Sequence, residues 1–192
     1  FWISGDEPLL VQESADLVRQ YFRKNGFEER EIYNVDSDFN LERFTTSVNN
    51  RSLFSKNKII ELRLDKVAGK NGSADKLKLG RDEKAAIDTF LVNNNPDFAL
   101  IITSVKIDRT VLSSKWFKAY ESLLAHIQVW PIDNRGLVKW LSRELRNSGI
   151  NANDQALQIL SEKVEGNLLA AKQEIEKLKL LANLDNKSQI TL

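Results

Sequence analysis

The chain has 192 residues, of which 42% are hydrophobic and 29% charged, with a formal net charge of +1 and no cysteine. This balance is typical of a globular protein with a sizeable core, and it excludes nucleic-acid binding through an overall basic excess. The missing cysteine excludes disulfides, thiol nucleophiles and cysteine-based zinc sites, and no apolar run approaches the roughly 20 residues of a membrane span. We therefore expect a cytoplasmic protein without membrane contacts. Because the sequence lacks methionine and begins within an apolar segment, we also expect a fragment of a longer protein.

The first residues predict a strand, a turn and a helix. The helix ends at Asn25-Gly26, and its helical spacing is carried by Leu10, Ser14, Leu17, Val18 and Tyr21. Phosphate-binding units begin in this way, but a Walker loop also needs a lysine at the start of the helix. Here Asp6 and Glu7 place carboxylates where phosphate would lie, and Pro8 removes an amide. We predict a degenerate phosphate loop that binds no nucleotide, formed by Gly5, Asp6, Glu7 and Pro8.

Strands and helices then alternate up to residue 130. The pattern predicts strands over 31–35, 58–64, 98–103 and 127–130. It also predicts three helices: one that begins at the polar residues 36–38, one over 82–92 and one over 114–124. The third strand is almost continuously apolar, as in a sheet that is covered on both faces. Residues 67–79, rich in glycine and lysine, are interpreted as a solvated surface loop or a local DNA contact. The alternation predicts a mostly parallel sheet flanked by helices.

The pattern becomes wholly helical after Pro131. Helices are predicted over 135–147, 153–164 and 167–181, with Gly149 and Gly166 in the short turns between them. We therefore predict an α/β domain over residues 1–131 and a small three-helix lid domain over residues 132–192.

Two adjacent large apolar residues, Leu53 and Phe54, lie between the second helix and the third strand. They cannot both lie on one face of a strand. Either they fold back onto the core, or they project as an anchor for a pocket on a partner, since a few aromatic and aliphatic residues carry most interface energy. The local sequence leaves both interpretations open.

Catalytic groups are sparse. His126 has no evident serine or carboxylate partner, and no pair of carboxylates is spaced for catalysis, so we predict no enzymatic activity, cofactor or metal. Arg109 either pairs with Asp108 or Glu121 or senses a neighbouring subunit's nucleotide. Two tryptophans, Trp116 and Trp140, fall on apolar helix stripes and are interpreted as core residues rather than base-stacking ones.

The order of an α/β domain and a helical lid resembles the AAA+ ATPases, and five stretches resemble the delta subunit of bacterial DNA polymerase III. These stretches are Gly5-Asp6-Glu7-Pro8-Leu9-Leu10, Ser52-Leu53-Phe54, Ser114-Lys115-Trp116-Phe117-Lys118, Gln128-Val129-Trp130-Pro131, and Glu165-Gly166-Asn167-Leu168-Leu169-Ala170 with Gln173-Glu174 and Lys177-Leu178. Together they span the whole chain.

The resemblance implies a clamp-loader subunit that binds and opens the sliding clamp, the beta subunit. Leu53 and Phe54 would be the hydrophobic wedge, with Ser52, Arg51 and Asn49 beside it; the family pattern has Gln where this chain has Asn49. The implied partners also include the delta-prime and gamma/tau subunits, and DNA only within the assembled complex. Nucleotidyltransferase activity would lie in another subunit, and the family's C-terminal collar domain would be absent from this chain.

Two alternatives remain at this point. The first is an ATP-binding AAA+ motor or loader subunit, which the carboxylates of the phosphate loop disfavour. The second is a module that binds DNA directly, which the near-neutral net charge disfavours.

Overall fold

The computed structural model describes residues 1–35, 39–49, 57–64, 77, 79–93, 95–184 and 189–190. Their contacts divide the chain into two compact units, Phe1–Trp130 and Pro131–Leu192. Within the described ranges, no helix is both long enough and apolar enough to cross a lipid bilayer. The elements of the first unit are, in order, β1 (Trp2–Gly5), α1 (Pro8–Lys24), β2 (Glu29–Asn34), α2 (Leu41–Asn49), β3 (Lys58–Leu64), α3 (Arg81–Asn93), β4 (Phe98–Ser104), α4 (Arg109–Leu112), α5 (Lys115–Glu121) and β5 (His126–Val129).

A five-stranded sheet forms the centre of the first unit. Its strand order is β2-β3-β4-β1-β5, and every neighbouring pair is parallel, which confirms the predicted parallel sheet. The central strands are the most deeply buried, since Ile59, Ile60 and Ile101 have no exposed surface. Because all strands run the same way, the turn after Gly5 lies at the carboxyl edge of the sheet, whereas the chain enters β3 at the amino edge.

Helices cover both faces of the sheet, and the two faces carry different helices. On one face, Val11, Ala15 and Val18 of α1 pack against Ile3 and Ile101. The other face holds the larger core, to which α2, α3 and α5 all contribute; its members include Trp2, Phe44, Val48, Ile60, Leu62, Ile87, Phe90, Ile102, Phe117 and Tyr120. The face covered by α1 therefore has the thinner apolar layer.

Helix α1 is rotated relative to the predicted apolar stripe. Leu17 and Tyr21 were expected on that stripe, but they are 67% and 59% exposed. The buried face instead consists of Leu9, Val11, Ala15, Val18 and Arg19. Apolar residues occur on both sides of this helix, so its spacing predicts a helix correctly but not the side that meets the sheet.

Helix α2 begins later than expected. It starts at Leu41, after Asn40, whose side-chain oxygen accepts a hydrogen bond from the Arg43 N–H at 2.8 Å. An asparagine in this position satisfies one of the free N–H groups at a helix start. The polar residues 36–38, which were predicted to start the helix, lie outside the described ranges.

The described residues of the second unit form three helices and a short strand pair. Its elements are α6 (Asn134–Asn147), β6 (Asn151–Ala152), α7 (Asp154–Val164), α8 (Leu168–Leu184) and β7 (Gln189–Ile190). Trp140 and Leu141 of α6 are buried, as are Leu157 of α7 and Ile175 of α8. Asp133 and Asn153 cap α6 and α7 by accepting hydrogen bonds from N–H groups three residues later. The parallel pairing of β6 with β7 was not predicted, because two-residue strands leave no periodic signal.

Candidate functional site

The turn between β1 and α1 has the geometry of a tight strand-to-helix connection. A Cβ atom on Gly5 would lie 2.8 Å from the Val129 carbonyl oxygen and 3.0 Å from Val11 Cγ2, so only glycine fits there. Pro8 occupies the first turn of α1, where its missing N–H costs little. Local packing thus accounts for the glycine and the proline without any phosphate.

The two carboxylates of this turn have different surroundings. Asp6 lies 3.5 Å from Nζ of Lys106, which follows β4. Partial burial raises the pKa of Glu7, although a backbone hydrogen bond at Leu9 works against this. The sequence shows no lysine at the start of α1, and the structure brings Lys106 in from a distant loop. That ammonium faces a carboxylate, so the site offers phosphate less positive charge than a Walker loop does.

A cleft of about 740 Å³ runs from this turn along α1 at the carboxyl edge of the sheet. Its lining includes Gly5, Asp6, Arg19, Glu61, Arg63 and Lys106. Crevices at the carboxyl ends of parallel strands are where α/β sheets commonly bind ligands. Here positive and negative side chains alternate along the lining, so the cleft is not a basic pocket.

Glu61 is the centre of a buried charge cluster beside this cleft. Its carboxylate accepts hydrogen bonds from Arg19 at 2.9 Å, Arg30 at 2.7 Å and Arg63 at 2.8 Å, and its side chain is 1% exposed. Burial alone would raise the pKa of Glu61, but these three guanidinium groups together lower it. Sequence reasoning missed the cluster. The available signal was a charged residue inside an apolar strand, which requires a partner.

A second charged network lies at the start of β3. Lys58 Nζ donates to Glu31 Oε1 at 2.8 Å, and the Tyr33 hydroxyl donates to Glu31 Oε2 at 2.7 Å. Ser47 of α2 also donates to Glu31. Burial tends to raise the pKa of Glu31, but the hydrogen bonds from Lys58, Ser47 and Tyr33 lower it overall. Burial, with the neighbouring Glu31, raises the pKa of Tyr33 to about 12.

Of the residues predicted to bind the clamp, Asn49 alone falls within the described ranges. It is the last residue of α2, it is exposed, and its side-chain oxygen accepts a hydrogen bond from the Asn93 amide at 2.7 Å. Arg51, Ser52, Leu53 and Phe54 lie outside the described residues, as does most of the predicted loop over 67–79. The structure does describe both flanks, Asn49 and Asn57, at the amino edge of the sheet.

His126 has a serine partner that sequence reasoning missed. Its Nε2 lies 2.9 Å from Oγ of Ser4, and its Nδ1 lies 3.8 Å from a carboxylate oxygen of Glu121. This order resembles a hydrolytic triad, but Ser4 has no exposed surface and so cannot meet a substrate, and 3.8 Å is too long for a hydrogen bond. Burial lowers the pKa of His126, partly offset by Glu121. The arrangement joins β1 to β5.

The remaining candidates have simple environments. Trp140 is buried, as predicted, whereas Trp116 is partly buried and lies beneath the Lys84 ammonium, 4.9 Å from the ring centre. Arg109 is exposed at the start of α4, and Asp108 caps that helix through Val111. Within the described part of the chain, no three acidic, histidine or cysteine side chains are grouped to hold a metal ion.

Comparisons with known proteins give a consistent result. The family model described as DNA polymerase III, delta subunit, matches residues 1–128. The chain is 28% identical to DNA polymerase III subunit delta of Escherichia coli and 27% identical to that of Haemophilus influenzae, in each case over 94% of this chain and 50% of the relative. The chain thus spans about half the length of the curated relatives it matches.

Solved structures show the same fold. The Bacillus subtilis DNA clamp loader delta protein matches with a TM-score of 0.62 at 16% identity, over 100% of this chain and 55% of that one. A Thermotoga maritima RuvB variant matches with a TM-score of 0.56 at 11% identity, over 99% and 57%. At these identities the matches establish the fold alone, as AAA+-like. With the family model covering residues 1–128 of 192, the chain belongs to the DNA polymerase III delta subunit family.

Proposed function

We propose that this chain is the part of a clamp-loader subunit that binds the sliding clamp through Leu53 and Phe54 and favours the open form of the ring. The observation that carries the proposal is the family match over residues 1–128, which includes this stretch. Ser52 and Arg51 would flank the wedge, and Asn49 would contribute from the end of α2.

The anchoring of both flanks supports this role. On the helix side, Val48 is 1% exposed, and the Asn93 amide holds Asn49. On the strand side, Lys58 is 4% exposed and bonds to Glu31. Residues 50–56 therefore connect two fixed points at one edge of the sheet. A binding element with fixed ends loses less conformational entropy when it docks.

The energetic requirement for ring opening follows from linkage. A partner shifts a closed-to-open equilibrium only as far as it binds the open form more tightly than the closed one. The wedge must therefore make contacts on the open clamp that the closed ring does not offer. No ATP hydrolysis is required of this chain for that step, and nucleotide-driven changes in the delta-prime and gamma/tau subunits would control access to the wedge.

The test is clamp binding by single alanine variants. Leu53→Ala and Phe54→Ala should each weaken the affinity of the full-length protein for purified clamp by about 2 kcal/mol or more, measured by surface plasmon resonance. Leu169→Ala is a matched control, since Leu169 lies in the second unit and is 54% exposed. Unchanged clamp affinity in a folded Leu53→Ala/Phe54→Ala double variant would defeat the proposal.

The 740 Å³ cleft beside Gly5 favours one alternative, an ATP-binding AAA+ subunit. Calorimetric titration with Mg-ATP distinguishes the two functions. We expect no heat of binding, because Asp6 and Glu7 occupy the turn and Lys106 is paired with Asp6. Micromolar binding that is lost on filling the cleft at an exposed lining position, for example with Gln12→Trp, would establish the alternative.

A further inference from the structure

Helix α6 presents a stripe of four cations to solvent. Arg135, Lys139, Arg143 and Arg146 are all exposed, and we refer to them as the α6 basic stripe. At 100° per residue they fall within an arc of about 80°, and they extend over about 16 Å of helix. The single acidic residue of the helix, Glu144, lies on the other side.

The stripe is poorly neutralised by carboxylates. Arg143 has Glu144 at 3.6 Å, but among the residues that the structure describes, the other three cations have no carboxylate within 4.0 Å. The lysines elsewhere in the same unit differ. Lys163 and Lys177 lie 3.1 and 2.9 Å from Glu174, and Lys179 lies 3.9 Å from Glu176. Among the described residues of the second unit, positive charge without a carboxylate partner is therefore concentrated on α6, although the whole chain carries only +1.

The opposite side of α6 fixes the stripe in place. Leu137, Trp140, Leu141 and Leu145 are buried in the core of the second unit, so the helix cannot roll its basic face inward. The same packing removes the apolar side that an amphipathic helix would need in order to enter a membrane surface. A cationic face without available apolar area suits a charged, hydrated ligand.

A shallow groove follows the stripe toward α7. Its volume is about 410 Å³, and its lining includes Lys139, Ser142, Arg143 and Arg146 with one carboxylate, Asp154. Among the described residues that line this groove, none is aromatic. Base stacking is therefore not available, and recognition would depend on charge and hydrogen bonds to a sugar–phosphate backbone.

We propose that the α6 basic stripe binds the phosphate backbone of DNA without sequence preference. A length of about 16 Å corresponds to roughly five nucleotides of one strand at 3.4 Å each, so the four cations can contact phosphates along one such stretch. The proposal rests on the proposed role in clamp loading for its choice of DNA over an acidic protein surface. It does not depend on the clamp-binding wedge.

The salt dependence of DNA binding tests the proposal. The full-length protein would be titrated into a fluorescein-labelled 30-base-pair duplex, without clamp, and followed by fluorescence anisotropy at several salt concentrations. Four phosphate contacts predict an affinity loss of about 150-fold between 50 and 200 mM salt. In a Lys139→Gln/Arg143→Gln/Arg146→Gln variant, one contact remains, and the loss should shrink to about 3.5-fold. Its affinity at 50 mM salt should also fall.

The matched control removes the same charge elsewhere. A Lys163→Gln/Lys177→Gln/Lys179→Gln variant changes cations that carboxylates already neutralise, so its salt dependence should stay near that of the wild type. If DNA affinity fell equally in both variants, only net charge would matter and the proposal would be overturned. Unchanged DNA binding in the folded α6 variant would overturn it too. The proposal would also be overturned if the α6 variant bound DNA normally but no longer associated with other loader subunits. That result would assign the stripe to an acidic protein surface. Clamp affinity, measured in parallel, reports on the wedge separately.

Discussion

Two neighbouring strands of the first unit, β2 and β3, each contain a glutamate whose carboxylate is bonded to one or more cations. The two carboxylates lie on opposite faces of the sheet. Glu61 of β3 lies on the α1 face, where its side chain is 1% exposed and binds three guanidinium groups. Glu31 of β2 lies on the α2 face, where it is 34% exposed and binds one ammonium and two hydroxyls. The number of cations therefore follows the depth of burial, as the cost of desolvating a charge requires.

The largest expected effect comes from replacing the carboxylate of Glu61. Glu61→Gln would leave Arg30 and Arg63 without their shared anion, whereas the buried Arg19 would keep its ion pair with Asp16, and we expect the free energy of unfolding to fall by about 3 kcal/mol. Urea denaturation followed by circular dichroism measures this. Glu28→Gln, at an exposed position, is the matched control and should change little. A loss below about 1 kcal/mol for Glu61→Gln would mean that the cluster adds little to stability.

Breaking the Glu31 side should cost less. Lys58→Met removes the cation that bonds to Glu31 among the described residues, but the remaining carboxylate keeps two hydroxyl donors and about a third of its surface in water. We expect a loss of about 1–2 kcal/mol in the same measurement. If Lys58→Met were as damaging as Glu61→Gln, burial depth would not be what separates the two sites.

The pH dependence of stability should show a smaller difference between the two glutamates. The pKa of each carboxyl group is lowered in the folded state, so the unfolded chain binds more protons near pH 4. The stabilisation is present above the unfolded pKa of about 4.3 and is lost as pH falls through the folded pKa. Glu61→Gln should reduce the decrease in the free energy of unfolding at acid pH more than Glu31→Gln does. Superimposable pH profiles of the two variants would contradict that ranking.

His126 provides an independent pH window for the same experiment. Burial lowers its pKa, so stability should begin to fall as pH drops below about 6.5, where the unfolded histidine takes up a proton. Because this window lies above that of the carboxylates, the slope between pH 6.5 and 5 should persist in both glutamine variants.

The layered fold could be predicted because it rests on local patterns. The apolar run of Ile59, Ile60, Leu62 and Leu64 predicts a strand buried on both faces, and all four are at most 1% exposed. The inward side of α1 could not be predicted, because adjacent Leu9 and Leu10 give the helix apolar residues on two sides. Local pattern fixes the type of an element more firmly than its orientation.

The charge clusters depend on contacts between distant positions, which a single sequence does not reveal. Arg19 and Glu61 are 42 residues apart, and Ser4 and His126 are 122 apart. The stretch predicted to bind the clamp is the opposite case. Family resemblance predicts it, composition does not, and since residues 50–56 lie outside the described part of the chain, the role of Leu53 and Phe54 stays a prediction.

The parallel sheet also sets how signals can travel through the first unit. β3 has seven residues and spans about 23 Å, with the flanks of residues 50–56 at one end and the cleft beside Gly5 near the other. Its close-packed interior leaves little room for a relay of moving side chains. A force applied at the carboxyl edge of the sheet would therefore displace the sheet as one rigid element. The amino edge would move with it, so the two ends of β3 would be coupled without any local rearrangement between them.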